Sequence, residues 1–234
     1  MIRFENVSKV YEGRGLHNLV LFDLNFTIPK GISLGICGAN GAGKSTLMRL
    51  MAGAESPTTG RVTRTMSTSW PLGYTSAFQS SLSGADNTRF IARIYGKDVK
   101  ELQEFVQDFA ELGPYFRQPI NTYSAGMVAR LAFAISLAIR FECYLIDEIT
   151  AAGDERFRVK SESALQERRA ESTLIMTSHA PETLRAYCEY GAVLFNGSLT
   201  FYDTIDEAIN VHLYYQHASR HDRAVAGMSD SEQA

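Results

Sequence analysis

The sequence predicts an α/β fold, on two observations that support each other. The apolar run Ile32-Ser33-Leu34-Gly35-Ile36-Cys37 leads into Gly38-Ala39-Asn40-Gly41-Ala42-Gly43-Lys44-Ser45-Thr46, which opens the helical pattern Leu47-Met48-Arg49-Leu50-Met51. Strand, glycine loop, helix is the context that makes G-x-x-x-x-G-K-[ST] a phosphate site. Two further apolar strand patterns, Cys143 to Ile146 and Ser172 to Ser178, end at Asp147-Glu148 and at His179, with a helical pattern from Glu155 to Arg169 between them. Strands alternating with helices, and polar groups at their carboxyl ends, describe an open parallel sheet that binds its ligand there.

The remaining elements read in order. Ile2 to Tyr11 and Leu19 to Ile28 alternate apolar and polar residues, as half-buried strands do. Gly13-Arg14-Gly15 and Pro29-Lys30-Gly31 punctuate them as turns, and Pro57-Thr58-Thr59-Gly60 breaks the chain after the first helix. From Ser76 to about Leu112 the pattern is helical and more polar, which reads as an inserted helical region. Ser124 stands in front of a long helix pattern, Ala125 to Arg140. Asn196-Gly197 lies between Ala192–Phe195 and Leu199–Tyr202 as a strong hairpin signal. Thr204 and Glu207 form a capping box for a helix with Ile205, Ile209 and Leu213 on one face. The polar, aperiodic stretch from His217 to Ala234 is expected to be a disordered tail.

Composition bounds the functions open to such a chain. Its 234 residues suffice for one sizeable core, and 45% hydrophobic with 21% charged residues is the balance of a soluble globular protein. A net charge of −3 leaves no electrostatic footprint for nucleic acid or an anionic membrane surface. The longest apolar stretch, Leu131 to Ile139, is about half the length a bilayer demands, and Met1-Ile2-Arg3-Phe4-Glu5 is no secretory h-region. Cys37, Cys143 and Cys188 are isolated, which suits buried thiols in a reducing cytoplasm better than a disulfide framework.

The chemistry expected of the glycine loop follows from its residues. Glycines at Gly38, Gly41 and Gly43 let the N–H groups of the loop, including those of Ala39, Asn40 and Ala42, curl around an anion. The helix that follows turns its positive end toward the phosphates. Lys44 adds a full charge near the β and γ phosphates, and the Ser45 hydroxyl is placed to ligate Mg²⁺. At the end of the next strand Asp147 is expected to hold the same Mg²⁺, while its neighbour Glu148 accepts a proton from an attacking water. His179 is placed to touch the γ-phosphate and orient that water. Ser124-Ala125-Gly126 reads equally as an ordinary N-cap and as an anion-binding helix start, and the residues alone leave both open.

Taken together these motifs resemble the ATP-binding subunits of ABC transporters. Tyr123-Ser124-Ala125-Gly126-Met127 stands where that family carries a signature of the type LSGGQ, Gln79 matches the Q-loop glutamine, and Asp154 in Ala151-Ala152-Gly153-Asp154 matches the D-loop aspartate. Tyr11 matches the aromatic residue that stacks on adenine. The resemblance covers residues 1 to about 216 and implies a P-loop fold with an antiparallel β subdomain and a helical subdomain at about 79–135. It further implies ATP and Mg²⁺ as ligands, with Ser45, Gln79 and Asp147 on the metal and Glu148, His179 and Gln79 in catalysis. Two copies are expected to sandwich ATP, with Ser124, Ala125 and Gly126 of one facing the loop of the other. A separate transmembrane permease subunit is the implied partner, which places the chain peripherally on the cytoplasmic face of the inner membrane.

The departures narrow the branch. Tyr123 replaces leucine, Ala125 a glycine and Met127 a glutamine in the signature, and Ile149 stands where proline usually follows the acidic pair. A Tyr-Ser-x-Gly-Met signature, Ser69-Trp70-Pro71-Leu72-Gly73 and Leu82-Ser83-Gly84-Ala85-Asp86-Asn87 are similar to the polysaccharide-export branch, in particular to capsular polysaccharide exporters of the polysialic acid type from Gram-negative bacteria. A lipid-linked polysaccharide is then the expected cargo. An O-antigen or teichoic acid exporter and a soluble non-transport ABC ATPase are the alternatives. A GTPase would need an Asn-Lys-x-Asp run, which is missing.

Overall fold

The computed structural model describes residues 1–13, 16–72, 78–147 and 155–231, the stretch 219–231 as backbone. In chain order the elements are β1 (Ile2–Gly13), β2 (Leu16–Ile28), β3 (Ser33–Cys37), α1 (Lys44–Ala52), β4 (Thr59–Arg64), β5 (Thr68–Pro71), α2 (Gly84–Ile94), α3 (Val99–Ala110), α4 (Ala125–Ala138), β6 (Cys143–Asp147), α5 (Glu155–Glu171), β7 (Thr173–Thr177), α6 (Pro181–Tyr187), β8 (Tyr190–Phe195), β9 (Ser198–Tyr202) and α7 (Ile205–Ser231). Two 3₁₀ turns, Gly113–Arg117 and Ile120–Thr122, join α3 to α4.

The strands form two sheets. A six-stranded sheet runs β5-β6-β7-β3-β8-β9, with every pair parallel except the β8–β9 hairpin. A three-stranded antiparallel sheet runs β2-β1-β4. The strand leading into the glycine loop, β3, is therefore central, between β7 and β8. Side-chain alternation splits the core across the larger sheet. Cys143 and Leu145 of β6 join Ile2, Phe4, Leu21, Ile36 and Leu47 on one face. Tyr144 and Ile146 join Leu131, Ile135, Met176 and Ile205 on the other. Both faces being covered explains why β6 and β7 read as unbroken apolar runs.

Several local signals act as expected. Asn196 (φ 47°) and Gly197 (φ 78°) turn β8 into β9 with Phe195 opposite Ser198. Thr204 Oγ1 accepts from the Glu207 N–H at 3.2 Å and caps α7. Ser83 and Asp98, which the sequence reading does not single out as caps, cap α2 and α3 in the same way, accepting from Asp86 N–H and Glu101 N–H. The break at Pro57–Gly60 is only a turn, since β4 already starts at Thr59. The backbone of α7 stays helical to Ser231, across the stretch whose polar sequence suggests disorder. Ala218, Ala224 and Ala226, with no proline among them, are compatible with continuation of the helix.

The first turns of α7 dock directly on β8. A Cβ at Gly191 would lie 2.3 Å from Ala208 Cβ and 3.0 Å from Thr204 O, so only glycine lets the helix sit this close. Gly191→Ala is expected to destabilise the fold by roughly 1–3 kcal/mol, because a rigid helix rather than a flexible tip must yield. Chemical denaturation of the two proteins measures the difference, and an unchanged midpoint would show that α7 is not held there.

Candidate functional site

Residues 38–43 connect the end of β3 to the start of α1. Ala42 N–H donates to Ala39 O at 3.1 Å and Leu47 N–H to Gly43 O at 2.9 Å, which curls the loop into the helix. Gly43 occupies the N-cap position at φ 102° with no side-chain cap, and a Cβ there would meet Val20 Cγ1 at 2.6 Å. The helix start is thus bare backbone, as an anion site requires. Lys44 is buried, and its ammonium donates to Gly38 O at 2.7 Å and Ala39 O at 3.0 Å. In this position it arches back along the loop it belongs to.

A cavity of about 630 Å³ opens above this loop. Gly41, Gly43, Lys44, Ser45 and Thr46 line it, with Asn40 beside them and Tyr11, Asn18 and Val20 on one side. Asp147 and His179 also line it, from the carboxyl end of β6 and just past that of β7. Thr177 Oγ1 donates to Asp147 Oδ1 at 2.7 Å and so orients the carboxylate. A hydroxyl (Ser45) and an oriented carboxylate (Asp147) on one cavity are hard oxygen donors, the kind Mg²⁺ takes along with phosphate oxygens.

Not every expected residue gathers there. Gln79 is absent from the lining; its side-chain Nε2 donates to Ser81 Oγ at 3.1 Å. Its backbone is bound to the Asn87 side chain, N–H to Oδ1 at 2.9 Å and O from Nδ2 at 3.1 Å. Ser124, Ala125 and Gly126 are also absent from it, at the outer start of α4, where Ser124 Oγ accepts from Met127 N–H at 3.3 Å. Glu148 and Asp154 lie outside the described residues.

Two features escape a reading of the sequence. One is the flank supplied by α7. His212, Tyr215 and Gln216 line a second cavity of about 590 Å³ with Ala39, Asn40 and Gly41, and Tyr215 stacks on Phe195 with ring centroids 4.3 Å apart. Burial first, then the charges of Lys44 and His179, hold the His212 imidazole below its ordinary range. Their i, i+3, i+4 spacing marks one helix face, but nothing local says which loop that face meets. The other is a polar network behind the loop helix, in which the Tyr11 hydroxyl donates to Glu55 Oε2 at 2.9 Å.

A bare glycine loop between a central parallel strand and a helix, beside an acidic strand end, defines a P-loop nucleotide-binding protein. The ABC transporter family model matches residues 21–151, more than half of the chain, and the chain belongs to that family. It is 49% identical to the capsule polysaccharide export ATP-binding protein CtrD of Neisseria meningitidis serogroup B, over 89% of this chain and 96% of that one. It is 46% identical to the ATP-binding protein BexA of Haemophilus influenzae, over 94% of this chain and 100% of BexA. Among solved structures it is similar to the dimeric, post-hydrolysis ATP-binding cassette MJ0796 bound to ADP and Pi, with TM-score 0.73, 20% identity, and 87% of this chain and 98% of that one covered. That likeness carries the fold.

Proposed function

We propose that this chain is the ATP-hydrolysing subunit of an ABC transporter that exports capsular polysaccharide. The observation that carries the ATPase reading is the convergence of Lys44, Ser45, Asp147 and His179 on one cavity above a bare helix start. The cargo reading rests on near end-to-end similarity to a relative named for capsule polysaccharide export.

In this reading the loop N–H groups and Lys44 hold the β and γ phosphates of ATP, and Tyr11 stacks on adenine. Ser45 and Asp147 would hold Mg²⁺, which supplies positive charge to the bridging and γ-phosphate oxygens. Glu148 takes a proton from the attacking water, and His179 keeps that water and the γ-phosphate in line. Gln79 would join Ser45 and Asp147 as a metal ligand once its side chain leaves Ser81. The exposed start of α4, with Ser124, Ala125 and Gly126, caps the ATP held by a second copy, so that ATP joins two subunits and hydrolysis releases them. A separate transmembrane permease follows that equilibrium as a population shift. Among the described residues no helix is long and apolar enough to cross a membrane. By its likeness to capsule export ATP-binding proteins, the subunit would sit on the cytoplasmic face of the inner membrane through the permease, with a lipid-linked polysaccharide as cargo of the complex and no nucleic acid bound.

A strain lacking this protein is expected to go on making its capsule polymer and to retain it inside the cell. Immunostaining of intact and permeabilised cells separates the two locations. Wild-type protein should restore surface display, and a Glu148→Gln version should not. Normal surface capsule in the null strain, with no second exporter, would remove the polysaccharide assignment and leave the ATPase assignment standing.

A further inference from the structure

We propose that Glu55 is a positioning residue for nucleotide-base recognition, acting through the hydroxyl of Tyr11. The inference rests on the reading of Tyr11 as the adenine-stacking residue and extends it to the group that aims the ring.

Tyr11 stands near the end of β1 and Glu55 just past the end of α1, 44 positions away. The Tyr11 hydroxyl donates to Glu55 Oε2 at 2.9 Å and accepts from Arg49 Nη2 at 2.9 Å. Arg49 Nε donates to the same carboxylate oxygen at 3.0 Å, and Lys9 Nζ lies 2.8 Å from the other. Arg49 Nη2 also donates to Thr46 Oγ1 at 3.1 Å, which ties the arrangement to the first turn of the helix that follows the phosphate loop. Lys9 Nζ stands 5.1 Å from the centroid of the Tyr11 ring, over its face.

The ring is therefore held at its hydroxyl by Arg49 and Glu55, with Thr46 Oγ1 a further 3.3 Å contact, and at one face by an ammonium. A phenol hydroxyl that both donates and accepts has little freedom to rotate, so the ring has one orientation. That ring lines the phosphate cavity together with Thr46. Burial disfavours the charged form of Glu55, yet hydrogen bonds from Lys9, Arg49 and Tyr11 outweigh it and take its carboxyl down to about 2. The carboxylate thus stays ionised throughout the working range of pH. A brace that merely joined β1 to α1 would be a second use of the same ion pairs, and partly exposed pairs stabilise little. The distinction lies in which part of the ligand feels their loss.

The test compares ATP with inorganic tripolyphosphate, a probe that has the phosphates and lacks the base, each with Mg²⁺ on the full chain by calorimetric titration. Tyr11→Ala should weaken ATP by roughly tenfold or more through lost stacking. Tyr11→Phe and Glu55→Ala keep a ring but free it, and should weaken ATP about two- to tenfold, the cost of ordering one side chain on binding. All three should bind tripolyphosphate within about twofold of wild type, since neither Tyr11 nor Glu55 is itself a phosphate contact in this reading. Parallel losses for both ligands in Tyr11→Phe and Glu55→Ala would show a brace for the loop helix and overturn the proposal. Wild-type ATP affinity in those two, with Tyr11→Ala weakened, would overturn it while leaving the stacking reading in place. Unchanged ATP affinity in Tyr11→Ala would overturn both. If Glu55→Ala fails to fold, Tyr11→Phe, which removes one hydroxyl, decides.

Discussion

Lys44→Ala is expected to weaken ATP binding by about 1.5–3 kcal/mol, roughly ten- to a hundredfold in Kd, the worth of a hydrogen bond made by a charged donor. Lys44 Nζ already donates to Gly38 O and Ala39 O, so its charge sits on the loop before any ligand arrives. Phosphate oxygens compete for that ammonium with neutral carbonyls, and a charge-assisted bond is the stronger of the two. Asp147 lines the same cavity as Lys44, so without the lysine the triphosphate would meet a carboxylate with less to offset it. Titration of ATP at fixed Mg²⁺ measures the change, with circular dichroism to show that the variant is folded. Equal affinity for wild type and variant would mean that the phosphates do not sit over this loop.

The larger effect is expected on turnover. Glu148→Gln should cut ATP hydrolysis by roughly 10²–10⁴-fold, the range lost with a general base, and leave ATP affinity nearly intact. Glutamine keeps the size and the hydrogen bonding of the side chain but takes no proton from water. With hydrolysis blocked, ATP should hold two copies together, so size-exclusion chromatography should show a dimer that depends on ATP and is absent with ADP. The proposed contact at Ser124, Ala125 and Gly126 requires it, since none of the three lines the cavity of its own chain. A variant that turns over at the wild-type rate would take Glu148 out of the base role. A blocked variant that remains monomeric with ATP would instead remove the sandwich.

What the sequence discloses of this site depends on how local the cause is. The loop from Gly38 to Ser45 is legible because a few consecutive residues determine both its backbone and its charge. The turn at Asn196–Gly197 and the cap at Thr204 are legible for the same reason. Asp147 is legible as the polar end of an apolar run. β5 is hidden because its four residues include Pro71 and show no run of alternation. α6 is hidden because seven residues opening on Pro181 are too few to display a period. Gln79 matches a motif by position, yet its side chain turns to Ser81, a preference of its own loop that the motif does not encode. The Lys9–Tyr11–Arg49–Glu55 cluster and the seat of His212 beside the loop require β1, α1 and α7 to be in place first. No window of sequence contains them.

The central position of β3 has a consequence for how the protein is made. Its neighbours are β7, which pairs Leu174 with Ser33, and β8, which pairs Val193 with Cys37. A ribosome adding about 5–20 residues per second completes β8 roughly eight to thirty seconds after Cys37 is joined. Until β7 is made, shortly before β8, Leu34, Ile36 and Cys37, all buried in the finished sheet, have neither parallel partner. Pairings this distant carry the loop-closure entropy that makes high-contact-order folds slow. The nascent chain thus carries its phosphate loop long before it has the sheet that aims it, and competence to hold a nucleotide arrives only once β7 and β8 have been made.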